Sequence, residues 1–316
     1  MPFTLNLTAD YHRGELKTLG WELTVSNALY PPDSPCRTVL KDPSSYGRHL
    51  YDYLNAVLPL SNMVRILEIG GGYGYLMRDF LGCNPRLQPL MMDISPVLLK
   101  KQQETLKDFD VTYREGDFLE CGDTLLDGVE LAVMNEILGD FPTAVDVPMD
   151  ILDQNISANK LEEPFQRIRL LYDRYSLGRP QTPTFHFNLG AVEAVEKLCR
   201  ADVPAIFLGE HSCEASVPEH YGRYIHIETS DSPQRIALKG HDEYTIKMSH
   251  LQQVAEAYQY RVIRGPFADF LDIRYSDSLL AMLESREVLE DSHEILFHFL
   301  EDLFQYEYLV LIRSKG

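Results

Sequence analysis

The chain is short of basic residues, cysteine pairs and long apolar runs, and each shortage removes a class of protein. Lysine and arginine total 29 against 48 aspartates and glutamates, for a net charge of −19. An anionic surface of that size repels phosphate backbones, so nucleic acid is not expected as a partner and a cationic group is favoured. The five cysteines, Cys36, Cys83, Cys121, Cys199 and Cys213, are odd in number and form no C-x-x-C pair. That argues against a disulfide or zinc framework and for a reducing, cytoplasmic setting. No apolar run reaches the roughly 20 residues of a membrane span, and no basic-then-apolar segment opens the sequence. Neither membrane insertion nor a leader is therefore expected. P-loop, nucleophile-elbow and H-E-x-x-H patterns are missing as well. The ten histidines read as scattered, and His211-x-Cys213 offers too few ligands, so no metal site is expected.

What the chain does have is a glycine cluster in a telling place. In "VRILEIGGGYGYLMRDF", Val64, Ile66, Leu67 and Ile69 form a short buried strand, and Tyr75, Leu76, Met77 and Phe80 begin a helical pattern. Between them lie Gly70, Gly71, Gly72 and Gly74. Strand, glycine turn and helix make the nucleotide-binding unit of a doubly wound α/β sheet. A dinucleotide fingerprint requires Gly-x-Gly-x-x-Gly, but its third glycine falls on Tyr75 or Met77. The spacing that fits is Glu-x-Gly-x-Gly-x-Gly, with Glu68, Gly70, Gly72 and Gly74. This is the signature of class I methyltransferases. Their cofactor, S-adenosylmethionine, carries an ammonium, a carboxylate and a sulfonium rather than a phosphate, so a carboxylate at the strand end suits it.

Three further strand ends agree. Leu90–Met92 runs into Asp93 and Ile94, where an acidic side chain accepts from ribose hydroxyls. Ser95-Pro96 starts a helix that continues through Leu99, Gln103 and Leu106. Val111 and Tyr113 lead to Gly116-Asp117-Phe118, placing Asp117 and Phe118 beside the adenine. Leu131–Met134 leads to Asn135 and Glu136. Open α/β sheets bind ligands beyond the carboxyl ends of their strands, so these residues are expected on one rim.

The segments "LEIGGGYGYLMRDFL", "DISPVLLKKQQETL", "MNEILGDFP" and, more weakly, "DEYTIKMSHLQQVAEAYQYRVIRGPFADFL" resemble the MidA family. That family includes mitochondrial methyltransferases that help assemble respiratory complex I. The resemblance implies a Rossmann-like class I methyltransferase fold, S-adenosylmethionine as cofactor, and protein arginine methylation on a partner with a basic residue. The chain departs from the family at Gly139-Asp140-Phe141-Pro142 and at Gly209-Glu210-His211-Ser212. Carboxylates at neighbouring strand ends, Glu136, Asp140 and Glu210, are the candidates for holding the acceptor. A small-molecule methyltransferase and a cofactor-binding assembly factor without transfer activity are the alternatives.

The rest of the chain completes the expected plan. Ala205–Leu208 is the fifth strand, "YRVIRGPF" the sixth, and "YEYLVLIRS" a seventh that returns antiparallel. Residues 1–60, with Trp21, read as an N-terminal helical cap or lid. Residues 61–145 and 201–316 form the core, and residues 146–200 a helical insertion. A hairpin is expected around Asp231-Ser232-Pro233, and "MSHLQQVAEAYQY" is an amphipathic helix. Oligomeric state is not legible.

Overall fold

The computed structural model describes residues 4–14, 24–153, 158–285 and 291–314; Trp21 lies outside them. The strands are β1 (Thr4–Asn6), β2 (Arg65–Ile69), β3 (Gln88–Asp93), β4 (Thr112–Glu115), β5 (Leu131–Asn135), β6 (Thr143–Pro148), β7 (Thr184–Phe187), β8 (Ala205–His211), β9 (Arg235–Ala237), β10 (Asp242–Tyr244), β11 (Tyr260–Pro266) and β12 (Tyr306–Arg313). Seven build one sheet in the order β11-β12-β8-β5-β2-β3-β4. Strands β2, β3, β4, β5 and β8 are parallel. The last strand, β12, runs antiparallel to both β8 and β11. This is the seven-stranded class I methyltransferase sheet expected from the sequence.

Burial on both faces explains the apolar runs Leu131–Met134 in β5 and Ala205–Leu208 in β8. Ile66, Met91, Val133 and Phe207 point to one core, shared with helices Tyr46–Val57 and Tyr75–Cys83. Their neighbours Leu67, Met92, Ala132 and Leu208 point to the other. That second core is shared with helices Phe165–Tyr175, Leu189–Arg200 and Met248–Ala257. The chain leaves β2 toward β3 on one side and returns as β5 on the other. A crevice opens at such a reversal, beyond the carboxyl ends.

Three expectations need correction. Residues 146–200 are not wholly helical: β6 and β7 pair there and, with β1, form an antiparallel three-stranded sheet. The N-terminal cap likewise contributes a strand as well as short helices. The hairpin lies further on, with β9 and β10 paired and Gly240 at φ +110° between them. The Asp231-Ser232-Pro233 segment precedes it without strand structure. Among the described residues, no helix is long and apolar enough to cross a membrane.

Candidate functional site

A cavity of about 440 Å³ sits at the carboxyl ends of β2, β3 and β5. Segments 7–13 and 24–27 contribute to its wall. Glu68, Gly70, Gly72, Asp93, Ile94, Asp117, Phe118, Asn135, Glu136 and Asp140 all line it. Gly74 and Glu210 do not. Gly74 caps helix Tyr75–Cys83, where a Cβ would come within 3.3 Å of the Gln102 backbone. Glu210 is buried and accepts hydrogen bonds from the backbone N–H groups of Gly139 at 3.2 Å and His211 at 2.9 Å. It therefore braces the turn carrying Asp140 and does not face the cavity, contrary to its expected role.

The glycine loop presents bare backbone. Gly72 has φ +51°, and a Cβ placed there would meet nothing within 4 Å. Beside it, Glu68 is 2% exposed, and its Oε2 finds no hydrogen-bond partner among the described residues. Burial, reinforced by the charge of Asp93, pushes its carboxyl up to about 8. Asp93 itself accepts from Ser95 N and from Gln102 Nε2, each at 2.9 Å. Burial lifts it to about 6 against those two bonds. Gln102 also donates to the carbonyl of Gly72 at 3.1 Å, tying Asp93 to the glycine loop. Sequence periodicity assigned this face to Gln103, which is exposed; the buried amide is Gln102.

The expected adenine loop is held from behind. Phe118 is buried on the cavity wall. Lys197 Nζ donates to the carbonyls of Phe118 at 2.6 Å and Leu119 at 3.5 Å, and also to that of Cys121. Asp117 accepts from Leu119 N at 2.9 Å, and Arg13 reaches to 3.8 Å of its carboxylate. Lys197 was not legible as a site residue, because a lysine in an amphipathic helix ordinarily faces water.

At the β5 end, Asn135 Oδ1 accepts from the Tyr46 hydroxyl at 2.5 Å. Glu136 adopts φ +54°, a left-handed conformation uncommon for a side-chain-bearing residue. Its Oε1 accepts from Ser26 N at 3.3 Å. Burial first, then the nearby charge of Glu210, raises its carboxyl to about 8. Asp140 Oδ1 lies 2.7 Å from His12 Nε2 and 3.7 Å from His241 Nε2. The expectation of scattered histidines fails for these two.

No protein-family model and no curated protein matches the chain. Among solved structures, an uncharacterized protein from Burkholderia thailandensis covers 99% of this chain and 88% of its own, at 16% identity and a TM-score of 0.55. A member of the same superfamily from the same organism, bound to S-adenosyl-homocysteine, covers 86% of this chain and 77% of its own, at 15% identity and a TM-score of 0.49. The first of these likenesses shows a shared fold.

Proposed function

We propose that this chain is a MidA-like, S-adenosylmethionine-dependent methyltransferase whose acceptor is the guanidinium of a basic partner protein. The observation that carries the cofactor reading is Glu68: a buried carboxylate with an unpaired Oε2 beside the bare Gly70–Gly72 backbone. An ammonium draws the proton from that buried carboxyl and pairs with its oxygen, whereas a phosphate gains no charge partner from it. The wall also carries Asp93, Asp117, Glu136 and Asp140, with Arg13 as the one arginine and no lysine among the described lining residues. A pyrophosphate has little to bind there, which disfavours a nicotinamide dinucleotide.

When bound, S-adenosylmethionine supplies a methyl group on a sulfonium, already a good leaving group. The protein then has mainly to position the acceptor. Glu136 is the carboxylate suited to this, because Asp140 is engaged by His12 and Glu210 faces away. An ionised Glu136 pairs with a guanidinium through charge-assisted hydrogen bonds and holds the proton that the acceptor nitrogen releases. The contribution of residues from segments 7–13 and 24–27 to the cavity wall favours the second reading, a small-molecule acceptor.

Thermal shift tests the cofactor reading. S-adenosylhomocysteine is expected to raise the melting temperature and NAD is not, with a gain of about 2.7 kcal/mol at 100 times Kd. A shift with NAD alone overturns it. Transfer of a radiolabelled methyl group into lysate from cells lacking the protein then separates the acceptors. Label on arginine supports the proposal, and label only on metabolites selects the small-molecule enzyme. No label despite cofactor binding selects an assembly factor.

A further inference from the structure

Asp140 Oδ1 is approached by imidazole nitrogens from two segments far from it in sequence. His12 Nε2 comes from the N-terminal helix Ala9–Arg13 at 2.7 Å, and His241 Nε2 comes from the β9–β10 hairpin at 3.7 Å. The three ligand atoms lie within 4.8 Å of one another. Glu243 Oε1 stands 3.0 Å from the same His241 nitrogen. A tetrahedral ion with metal–nitrogen and metal–oxygen bonds near 2.0–2.1 Å separates its ligand atoms by about 3.3 Å. The separations of 2.7 and 3.7 Å from Asp140 Oδ1 to the two imidazole nitrogens bracket that edge.

Hydrogen bonding alone serves this group poorly. His241 Nε2 faces two carboxylates, with at most one proton to donate. The side chain of His241 is 4% exposed, its Nδ1 has no hydrogen-bond partner among the described residues, and Tyr11 stacks on the ring at 4.1 Å. Two carboxylates brought to one imidazole nitrogen repel each other, and a divalent cation beside them offsets that repulsion. Two imidazoles with carboxylate oxygen suit zinc and its first-row neighbours better than magnesium or calcium, which prefer all-oxygen shells.

We infer that His12, Asp140 and His241 bind one divalent transition-metal ion that clasps the N-terminal helix to the wall of the cavity. The site joins three distant segments through three protein ligands, and a water completes a tetrahedral set.

Tag-free full-length protein, stripped with chelator and dialysed, is titrated with Zn²⁺ by calorimetry. One equivalent is expected to bind, and His241→Ala and His12→Ala are each expected to weaken it by at least roughly tenfold. His220→Ala, remote from the group, should leave it unchanged. Co²⁺ substitution should give the visible absorption of a tetrahedral site, and zinc should slow proteolysis within residues 4–14. These readouts are made on the wild-type chain, so a variant that fails to fold does not decide the outcome. Absence of a stoichiometric site in wild type overturns the inference, as does zinc binding equal in wild type and in a folded His241→Ala protein.

Discussion

Lys197 Nζ donates to the carbonyl oxygen of Phe118 at 2.6 Å, from the buried side of helix Leu189–Arg200. One ammonium thereby fixes the loop that forms the Asp117–Phe118 side of the cavity. The cation also lies 4.9 Å from the centre of the Phe118 ring.

Lys197→Met retains most of the apolar stem and removes every donor. The carbonyls of Phe118, Leu119 and Cys121 then lose a charged partner, at a cost of about 1.5–3 kcal/mol. Calorimetry with S-adenosylhomocysteine should show roughly tenfold weaker binding, because part of that loss falls on loop order. Unchanged affinity in a variant with a lowered melting temperature would show that the loop does not touch the ligand.

Gly72→Val places a branched side chain at φ +51°, with its Cβ in the open space before the glycine loop. The backbone strain is about 1–3 kcal/mol, tolerable for a domain with two extensive cores. Binding of S-adenosylhomocysteine should be lost while circular dichroism stays native. A folded variant with normal affinity would place the ligand elsewhere.

The strand ends around Glu68, Asp93, Asp117 and Glu136 were legible because strand, turn and helix are local patterns. A short strand with Ile66, Leu67 and Ile69 and glycines behind it declares its rim without reference to the rest of the chain. The pairing of β1 with β6 was not legible. Three residues are too few to show alternation, and Leu5 finds Ala144 only through tertiary packing. The hairpin was displaced because Asp-Ser-Pro is strong turn chemistry, while the operative turn holds Gly240 at positive φ. His12 and Asp140, 128 residues apart, meet only after the N-terminal helix docks on the sheet. Glu210 misled for the opposite reason: its place at a strand end is right, but its side chain turns inward to the Gly139 and His211 amides.

Stability of the ligand-free protein should fall as pH rises through neutrality. Glu68 and Glu136 keep their protons to about 8 in the native state, against 4.5 for an ordinary glutamate. Between those values the native chain binds more protons than the unfolded chain, so the free energy of unfolding decreases with pH. The contribution is complete below about 4.5 and gone above about 8. Asp93, raised to about 6, and Glu210, raised to about 7, act in the same sense. Glu68→Gln removes one of these groups. It should flatten the melting-temperature profile between about pH 5 and 9 and raise stability at the alkaline end by roughly 1–3 kcal/mol. The same variant should bind S-adenosylhomocysteine more weakly, having lost the charge that meets the ammonium. A profile identical to wild type would mean that Glu68 is ionised throughout.

Glu136→Gln separates the two halves of the proposed chemistry. The amide keeps the shape of the side chain and an oxygen able to accept from Ser26 N, so the cavity wall and the segment above it should stay in place. What it loses is the negative charge that holds a guanidinium and takes its proton. Cofactor affinity should therefore change little, within about 0.5 kcal/mol, as for a substitution that leaves the ligand's own contacts intact. Methyl transfer to a protein arginine should drop by a factor of about 100 or more, the scale of a lost general base. Raising the pH should restore transfer little, because an amide cannot ionise, whereas wild-type transfer should rise as Glu136 loses its proton near 8. If the variant transfers methyl groups at the wild-type rate, Glu136 is only a tether for the 24–27 segment. The acceptor must then be recognised by other residues, and a neutral small molecule becomes the better substrate.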